Sequence, residues 1–288
     1  MSTAAQRLRF WITSSRPGLW FPTVWLYLLP LGGTAPWGSP AFWVGLLHVT
    51  LPLNLLVYGW NDLVDRETDR LNPRKGNALF GARGDDAELA SLPWAMAVAS
   101  GLGFGAVALL DGPRQLLVAA GTVAVCWLYN REPGGWRGRP PLELLCQIGY
   151  LLVVPLSAWL NDAPLPPLAT WAYLALFTAQ AQLMGEVMDV DPDRQSGRRT
   201  TATDLGVKRT KGLIVAVVTA EAALAFWVFH DALFGGALVA FVAWLLLDLF
   251  VLFGERRYSL GWMKALGVIS NVMAGATMIY VWRTGCLL

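Results

Sequence analysis

Charge is scarce in this chain. Of its 288 residues only 15% are Asp, Glu, Lys or Arg, while 55% are hydrophobic and the mean hydropathy is +0.46. That is too apolar for a soluble protein of this length. Cysteine is sparse as well. Cys126, Cys146 and Cys286 lie in or beside apolar runs at no metal-ligand spacing, which argues against a disulfide framework and for inert packing residues. The first seventeen residues carry Arg7, Arg9 and Arg16 but no signal-peptide core with a small-residue cleavage site, so the first apolar run is expected in the mature protein. Leu8, Phe10, Trp11 and Ile12 among those arginines suit either a short interfacial helix or a frayed end. The net charge of +2 says little by itself, and no nucleic-acid partner is expected.

What the chain has is apolar runs. A membrane span needs about 20 apolar residues. Nine candidate runs occur, at about 18–35, 41–60, 92–110, 114–129, 142–160, 166–188, 212–229, 233–253 and 263–282. With nine spans, the N-terminus and loops 61–91, 130–141, 189–211 and 254–262 share one side with Lys264, and 20 of the 22 Lys and Arg residues fall there. Only Arg114 and Arg283 lie opposite. By the positive-inside rule the N-terminus is cytoplasmic and the C-terminus is on the other side of a plasma (inner) membrane. Trp20, Trp37, Trp60, Trp94, Trp159, Trp262 and Trp282 fall near span ends, as interface anchors do.

The second run ends in Asn61-Asp62-Leu63-Val64-Asp65-Arg66-Glu67-Thr68-Asp69. A continuing helix would stack Asp62, Asp65 and Asp69 on one face over two turns, bordered by Asn61. Three carboxylates on one face repel unless a cation neutralises them. All-oxygen ligands call for Mg²⁺, Ca²⁺ or Mn²⁺ rather than zinc. Glu186, Asp189 and Asp193 repeat the spacing 124 residues later, again closing an apolar run. Arg70, Arg74 and Lys75 recur at the same offset as Arg194, Arg198 and Arg199. Six matches at one offset indicate an internal duplication, with halves at about 17–130 and 141–254 and a ninth helix at 263–282. Both motifs would be cytoplasmic, each followed by a basic loop. Paired acidic motifs with clustered arginine suit a diphosphate bridged to protein by divalent cations.

These residues carry a family resemblance. Asn61, Asp62, Asp65 and Asp69 read as N-D-x-x-D-x-x-x-D, and Asp189 and Asp193 read as D-x-x-x-D. Gly197, Arg199, Thr200, Leu205 and Gly206 follow. Together with Arg16-Pro17 before the first run and Tyr129 at the end of the fourth, the chain resembles the UbiA superfamily of intramembrane prenyltransferases over almost its whole length.

The resemblance implies an all-α, polytopic membrane protein. It would be one domain of nine transmembrane helices around a central cavity, capped by cytoplasmic loops. It also implies Mg²⁺-dependent transfer of an isoprenyl group from an isoprenyl diphosphate to a hydrophobic or aromatic acceptor, in quinone- or pigment-type biosynthesis, within membrane lipid. Asp62, Asp65 and Asp69, supported by Asn61, would hold one Mg²⁺. Asp189 and Asp193 with Glu186 would hold a second, and Mn²⁺ would be a substitute. Arg70, Arg74, Lys75, Arg194, Arg198 and Arg199 are the candidates for the diphosphate oxygens. Asn54, Tyr58, Tyr129 and Asp191 are candidates for the acceptor or cavity, although Asp191, off the triad face, reads first as a surface carboxylate.

One departure concerns the acceptor. Asn72-Pro73-Arg74-Lys75-Gly76 is not the Arg-Pro-rich form associated with ubiquinone-pathway members, which speaks against 4-hydroxybenzoate. Glu221 and Asp248 lie within spans, where a carboxylate marks either function or helix-to-helix hydrogen bonding.

Two other functions remain open at this level. A terpene cyclase of the same superfamily would ionise the same diphosphate without an acceptor. A divalent-cation transporter would need carboxylates deep in several spans, whereas most here sit at helix ends beside arginine. A phosphatidyl-alcohol transferase would show one continuous D-G-x-x-A-R…G-x-x-x-D-x-x-x-D run, and the sequence has none.

Overall fold

Prolines open several of the helices, while polar caps and glycines close the loops between them. The computed structural model describes residues 4–288. Their helices are α1 (Ala4–Ser14), α2 (Phe21–Leu28), α3 (Pro40–His48), α4 (Leu51–Val64), α5 (Arg66–Leu71), α6 (Asp86–Asp111), α7 (Arg114–Asn130), α8 (Ile148–Leu151), α9 (Val153–Leu160), α10 (Leu168–Gln195), α11 (Thr201–Leu205), α12 (Val207–Trp227), α13 (Ala232–Leu247) and α14 (Leu260–Thr284). Among the described residues there is no strand, only one isolated bridge between Asn77 and Gly81. The fold is all-α, as expected.

A helix falls on every one of the nine apolar runs, although several are broken. Pro40 and Pro52 sit at the first turns of α3 and α4, where a missing N–H costs nothing. They split the second run at Val49-Thr50. Among the described residues, six helical stretches are long and apolar enough to cross a membrane: Pro40–Val64, Asp86–Asp111, Leu142–Leu160, Val207–Trp227, Ala232–Leu252 and Leu260–Thr284. The first run gives only the short stretch Phe21–Leu31. The fourth gives the 17-residue α7. The sixth gives α10, which is 28 residues long but carries Gln180, Gln182 and Glu186 in its second half.

Packing places the site. α4 lies on α6, and α12 lies between α10 and α13. α1 rests on both α4 and α6, so the amphipathic N-terminal segment is an ordered helix from Ala4 onward. α5 packs against α10, which brings the two acidic motifs face to face. Side chains such as Leu102, Leu109, Leu117 and Leu168 point outward and remain exposed, as expected where the solvent is lipid.

The two carboxylates inside spans differ. Asp248 is buried and paired with Lys211 at 2.7 Å, and it accepts a second bond from the Tyr258 hydroxyl at 2.7 Å. It ties α12 to the π-helical turn Asp248–Leu252 and the loop beyond. Glu221 is fully buried, and neither of its side-chain oxygens has a hydrogen-bond partner.

Candidate active site between the two acidic motifs

The first motif bends where a continuous helix was expected. α4 stops at Val64, Asp65 takes φ −84° and ψ 4°, and α5 begins at Arg66. The ladder nevertheless continues: Asp65 N–H donates to Asn61 O and Asp69 N–H to Asp65 O, both at 2.7 Å. Asp62 and Asp69 therefore still face one cation, the Lys75 ammonium, at 2.5 and 2.8 Å. Asp62 also meets Arg16 at 3.3 Å. Asp65, at the bend, is turned to two other guanidiniums, those of Arg137 and Arg198.

Lys75 is delivered by a tight loop. The Asn77 side-chain oxygen accepts the N–H groups of Leu79 and Phe80, each at 3.0 Å. Gly76 and Gly81, both at φ +99°, make the reversal that a side chain would strain. Arg74 stacks over the Phe80 ring at 4.9 Å and pairs with Asp189 on α10. Asn72 Nδ2 donates to the same Asp189 at 2.8 Å. The loop after the first motif thus reaches the second motif, and the reverse also holds. Arg198, from the loop after α10, pairs with Asp65 and lies 3.4 Å from Asp193.

Of the predicted residues, Asp62, Asp65, Asp69, Asp189, Asp193, Arg74, Lys75 and Arg198 come together. Asn61 borders them, one turn before Asp65. Glu186 is buried nearby, but its oxygens accept from Gln182 Nε2 at 3.3 Å and Ala202 N–H at 3.2 Å. Tyr58 lies under the cluster, with the Arg16 guanidinium 4.3 Å above its ring. Tyr129 lies in the last turn of α7, and its carbonyl accepts the Arg137 N–H at 3.2 Å.

Others do not join. Arg70 pairs with Glu67 and Asp86 on the surface, and Arg199 with Asp204. Arg194 is exposed and lines a separate cavity of about 190 Å³ with Asp191, Glu255, Arg256 and Arg257. Asp191 pairs with Arg257 at 2.8 Å, which favours the surface-carboxylate reading over an acceptor base. Asn54 is buried; its Nδ2 braces the break before α4 through Thr23 Oγ1, Val49 O and Thr50 O, while its Oδ1 has no hydrogen-bond partner.

Sequence reasoning missed Arg137 and gave Arg16 no role. Arg16 had a signal, since it stands alone just before the first apolar run. Arg137 had none, because its loop reads as ordinary positive-inside charge.

Burial raises the Asp69 pKa above the usual carboxylate range. Lys75 works against that shift and Asp62 adds to it. Burial lowers the Arg137 pKa and pushes Arg198 down to about 10. Cations enclosed in this way depend on their carboxylate partners.

The donor set suits a hard divalent cation, being carboxylate oxygen throughout. Among the described residues no three Asp, Glu, His or Cys groups yet converge on one point. Basic side chains stand between them instead. Lys75 occupies the place of a cation between Asp62 and Asp69, and Asp62 Oδ2 is buried without a hydrogen-bond partner. With Lys75 displaced from between them, Asp62 and Asp69 would present carboxylate oxygens suited to such an ion.

Comparison with known proteins bears on the family and the fold. A family model described as the UbiA prenyltransferase family matches residues 19–279. A lycopene elongase/hydratase from Corynebacterium glutamicum is 28% identical over 228 residues, covering 76% of this chain and 77% of that protein. The C(50) beta-cyclic carotenoids biosynthesis protein LbtBC from Dietzia sp. is 30% identical over 289 residues, covering 95% of this chain and 64% of that protein. The solved structure of a UbiA homolog from Archaeoglobus fulgidus bound to GPP and Mg²⁺ shares the fold. Its TM-score is 0.70 at 18% identity, over 96% of this chain and 99% of that one.

Proposed function

The chain belongs to the UbiA prenyltransferase family, and from that premise we propose that it transfers an isoprenyl group from an allylic diphosphate to a long polyene acceptor, releasing diphosphate. The observation that carries the diphosphate half is the crossed pairing of the two motifs: Arg74 on Asp189, and Arg198 on Asp65. Each basic loop reaches the other motif's carboxylates, so an anion bound between them would be held from both sides.

The roles follow. Asp62, Asp65 and Asp69 hold one Mg²⁺, with Asn61 beside them, and Asp189 and Asp193 hold a second. Mn²⁺ is a workable substitute. Bound there, the ions supply the positive charge that stabilises the leaving diphosphate. Arg74, Lys75 and Arg198 exchange their carboxylate partners for phosphate oxygens, and Arg16 and Arg137 stand close enough to join them. The allylic C–O bond breaks with its electron pair leaving on the diphosphate. The resulting cation adds to an acceptor double bond. The new cation then loses a proton, or takes up water and loses one from it.

The acceptor class is inferred from the relatives, whose names point to lycopene and C50 carotenoids. The departure at Asn72–Gly76 from the ubiquinone-pathway pattern speaks only against 4-hydroxybenzoate. We place the N-terminus and both motifs in the cytoplasm and the C-terminus opposite, on the strength of 20 basic residues against 2.

The test is product analysis of purified protein in lipid nanodiscs. It uses dimethylallyl, geranyl and geranylgeranyl diphosphates, offered with a linear carotenoid, with a ring acceptor such as a dihydroxynaphthoate, or alone. A prenylated carotenoid is expected. Product only with the ring acceptor would move the acceptor to the quinone class. A cyclic terpene formed without acceptor would replace the transferase reading with the cyclase.

A further inference from the structure

Glu143 is fully buried and is not a member of either acidic motif, although it lies close enough to Glu186 for their charges to interact. It lies in the short 3₁₀ segment Leu142–Gln147 and is 1% exposed. Its Oε1 accepts two bonds from one residue, the Thr201 N–H at 2.7 Å and the Thr201 hydroxyl at 2.6 Å. A buried carboxylate is costly to keep unless its bonds are good. Two short bonds to the same residue fix the position of that residue.

The two ends of this tie have something in common. Six residues before Glu143 stands Arg137, and three residues before Thr201 stands Arg198. Both guanidiniums end on one carboxylate, Asp65. The tie therefore joins the two loops that bring a pair of arginines to one point. The segment after Arg198 is also held by the Arg198 N–H, which donates to Asp193 O at 2.8 Å, and by the packing of α11 on α10 and α12, while the Glu143 tie links it to the loop that carries Arg137. The segment's remaining first-turn N–H groups are met by Glu186 at Ala202 and by the Thr200 hydroxyl at Thr203.

We propose that Glu143 is a positioning residue. By holding Thr201 it sets the separation of Arg137 and Arg198, so that the two act as a paired guanidinium clamp on one end of a diphosphate. This deepens the functional reading above and rests on its claim that a diphosphate binds here. Two guanidiniums at a fixed separation bind an extended anion better than two on independent loops, because less motion is lost on binding. The substrate dimension affected is the donor's diphosphate end, not the acceptor.

The test is binding of inorganic diphosphate with Mg²⁺ by calorimetry, together with donor and acceptor KM values. It compares wild type with Glu143→Leu, which removes the acceptor oxygens, and Glu143→Gln, which keeps one oxygen for Thr201. Glu143→Leu is expected to weaken diphosphate binding and raise the donor KM about tenfold, the order of a lost pair of buried hydrogen bonds, with the acceptor KM unchanged. Glu143→Gln is expected to restore most of the affinity. Equal diphosphate affinity in wild type and Glu143→Leu overturns the proposal, as does a rise in both KM values together. If Glu143→Leu does not fold, Thr201→Val, which keeps the N–H bond and loses the hydroxyl bond, carries the test, and unchanged affinity there overturns it. Wild type that binds no diphosphate would instead overturn the functional reading.

Discussion

Arg198 and Asp65 lie 133 residues apart in the chain and form a buried ion pair, so the loop after the second acidic motif closes onto the first. Arg74 and Asp189 make the reciprocal pair from the other direction. The two halves of the chain are joined at the site through exchanged charges, and each exchanged cation is available to an anion that displaces its carboxylate.

The basic residues should therefore separate into two groups. Alanine at Arg74, Lys75 or Arg198 is expected to raise the donor KM tenfold or more, since each loses a charge-assisted bond to phosphate, worth about 1.5–3 kcal/mol. Alanine at Arg70, Arg194 or Arg199 is expected to change it by less than about twofold, because the surface pairs of Arg70 and Arg199 contribute little and Arg194 is exposed away from the motif carboxylates. Steady-state kinetics with varied donor reads both groups.

Asp191 should behave as a surface residue. Its partner Arg257 is largely exposed, so Asp191→Asn is expected to leave turnover within about twofold of wild type. Asp189→Asn, two residues earlier, is expected to lower turnover at least about a hundredfold, since it removes a charge that holds metal and orients Arg74. Turnover at saturating substrates distinguishes the two.

Metal affinity should depend on pH through Asp69. Its folded-state pKa is raised, first by burial. A carboxylate must be deprotonated to bind a metal. Below that raised pKa, binding one ion displaces the Asp69 proton, and Mg²⁺ affinity is expected to fall about tenfold per pH unit. Above it this group's share of the dependence disappears. Without metal the sign is the opposite for stability: the proton is held more tightly in the folded state, so this group's contribution favours folding at low pH and is lost as pH rises through its folded value. Mg²⁺ titrations at several pH values, with Asp69→Asn as the control that removes this group's share of the dependence, check this.

Lys211 and Asp248 should matter to stability rather than to chemistry. Both are nearly fully buried and their 2.7 Å contact is reinforced by Tyr258. Lys211→Met leaves the carboxylate enclosed without its cation, which costs about 3–5 kcal/mol for a buried pair. Thermal unfolding in detergent is expected to show the loss, while Lys211→Met with Asp248→Leu together recovers much of it.

The repeat at a fixed offset made the paired motifs legible, because residue type and spacing survive in a linear sequence. Its limits are seen at Glu186. By the repeat Glu186 corresponds to Asp62, yet Asp62 faces Lys75 and Arg16 while Glu186 accepts the backbone N–H of Ala202. Equivalent positions acquired different neighbours. Apolar runs revealed where helices lie but not where they break, since the Val49-Thr50 interruption and the bend at Asp65 depend on local backbone and on packing. Arg137 was hidden for another reason. Topological charge and ligand-binding charge look alike until loops are placed in space, and the Nδ2 of Asn54, on the expected face, proved to be spent on Thr23 and its own helix turn.

The central claim is that the two acidic motifs jointly hold a diphosphate for ionisation. Diphosphate release from an allylic donor, measured in nanodiscs with Mg²⁺ or EDTA for wild type, Asp65→Ala and Asp189→Ala, tests it most directly. The account predicts Mg²⁺-dependent release with acceptor present, abolished by EDTA and by either substitution alone. Release that persists in EDTA, or survives the loss of one motif, would contradict it.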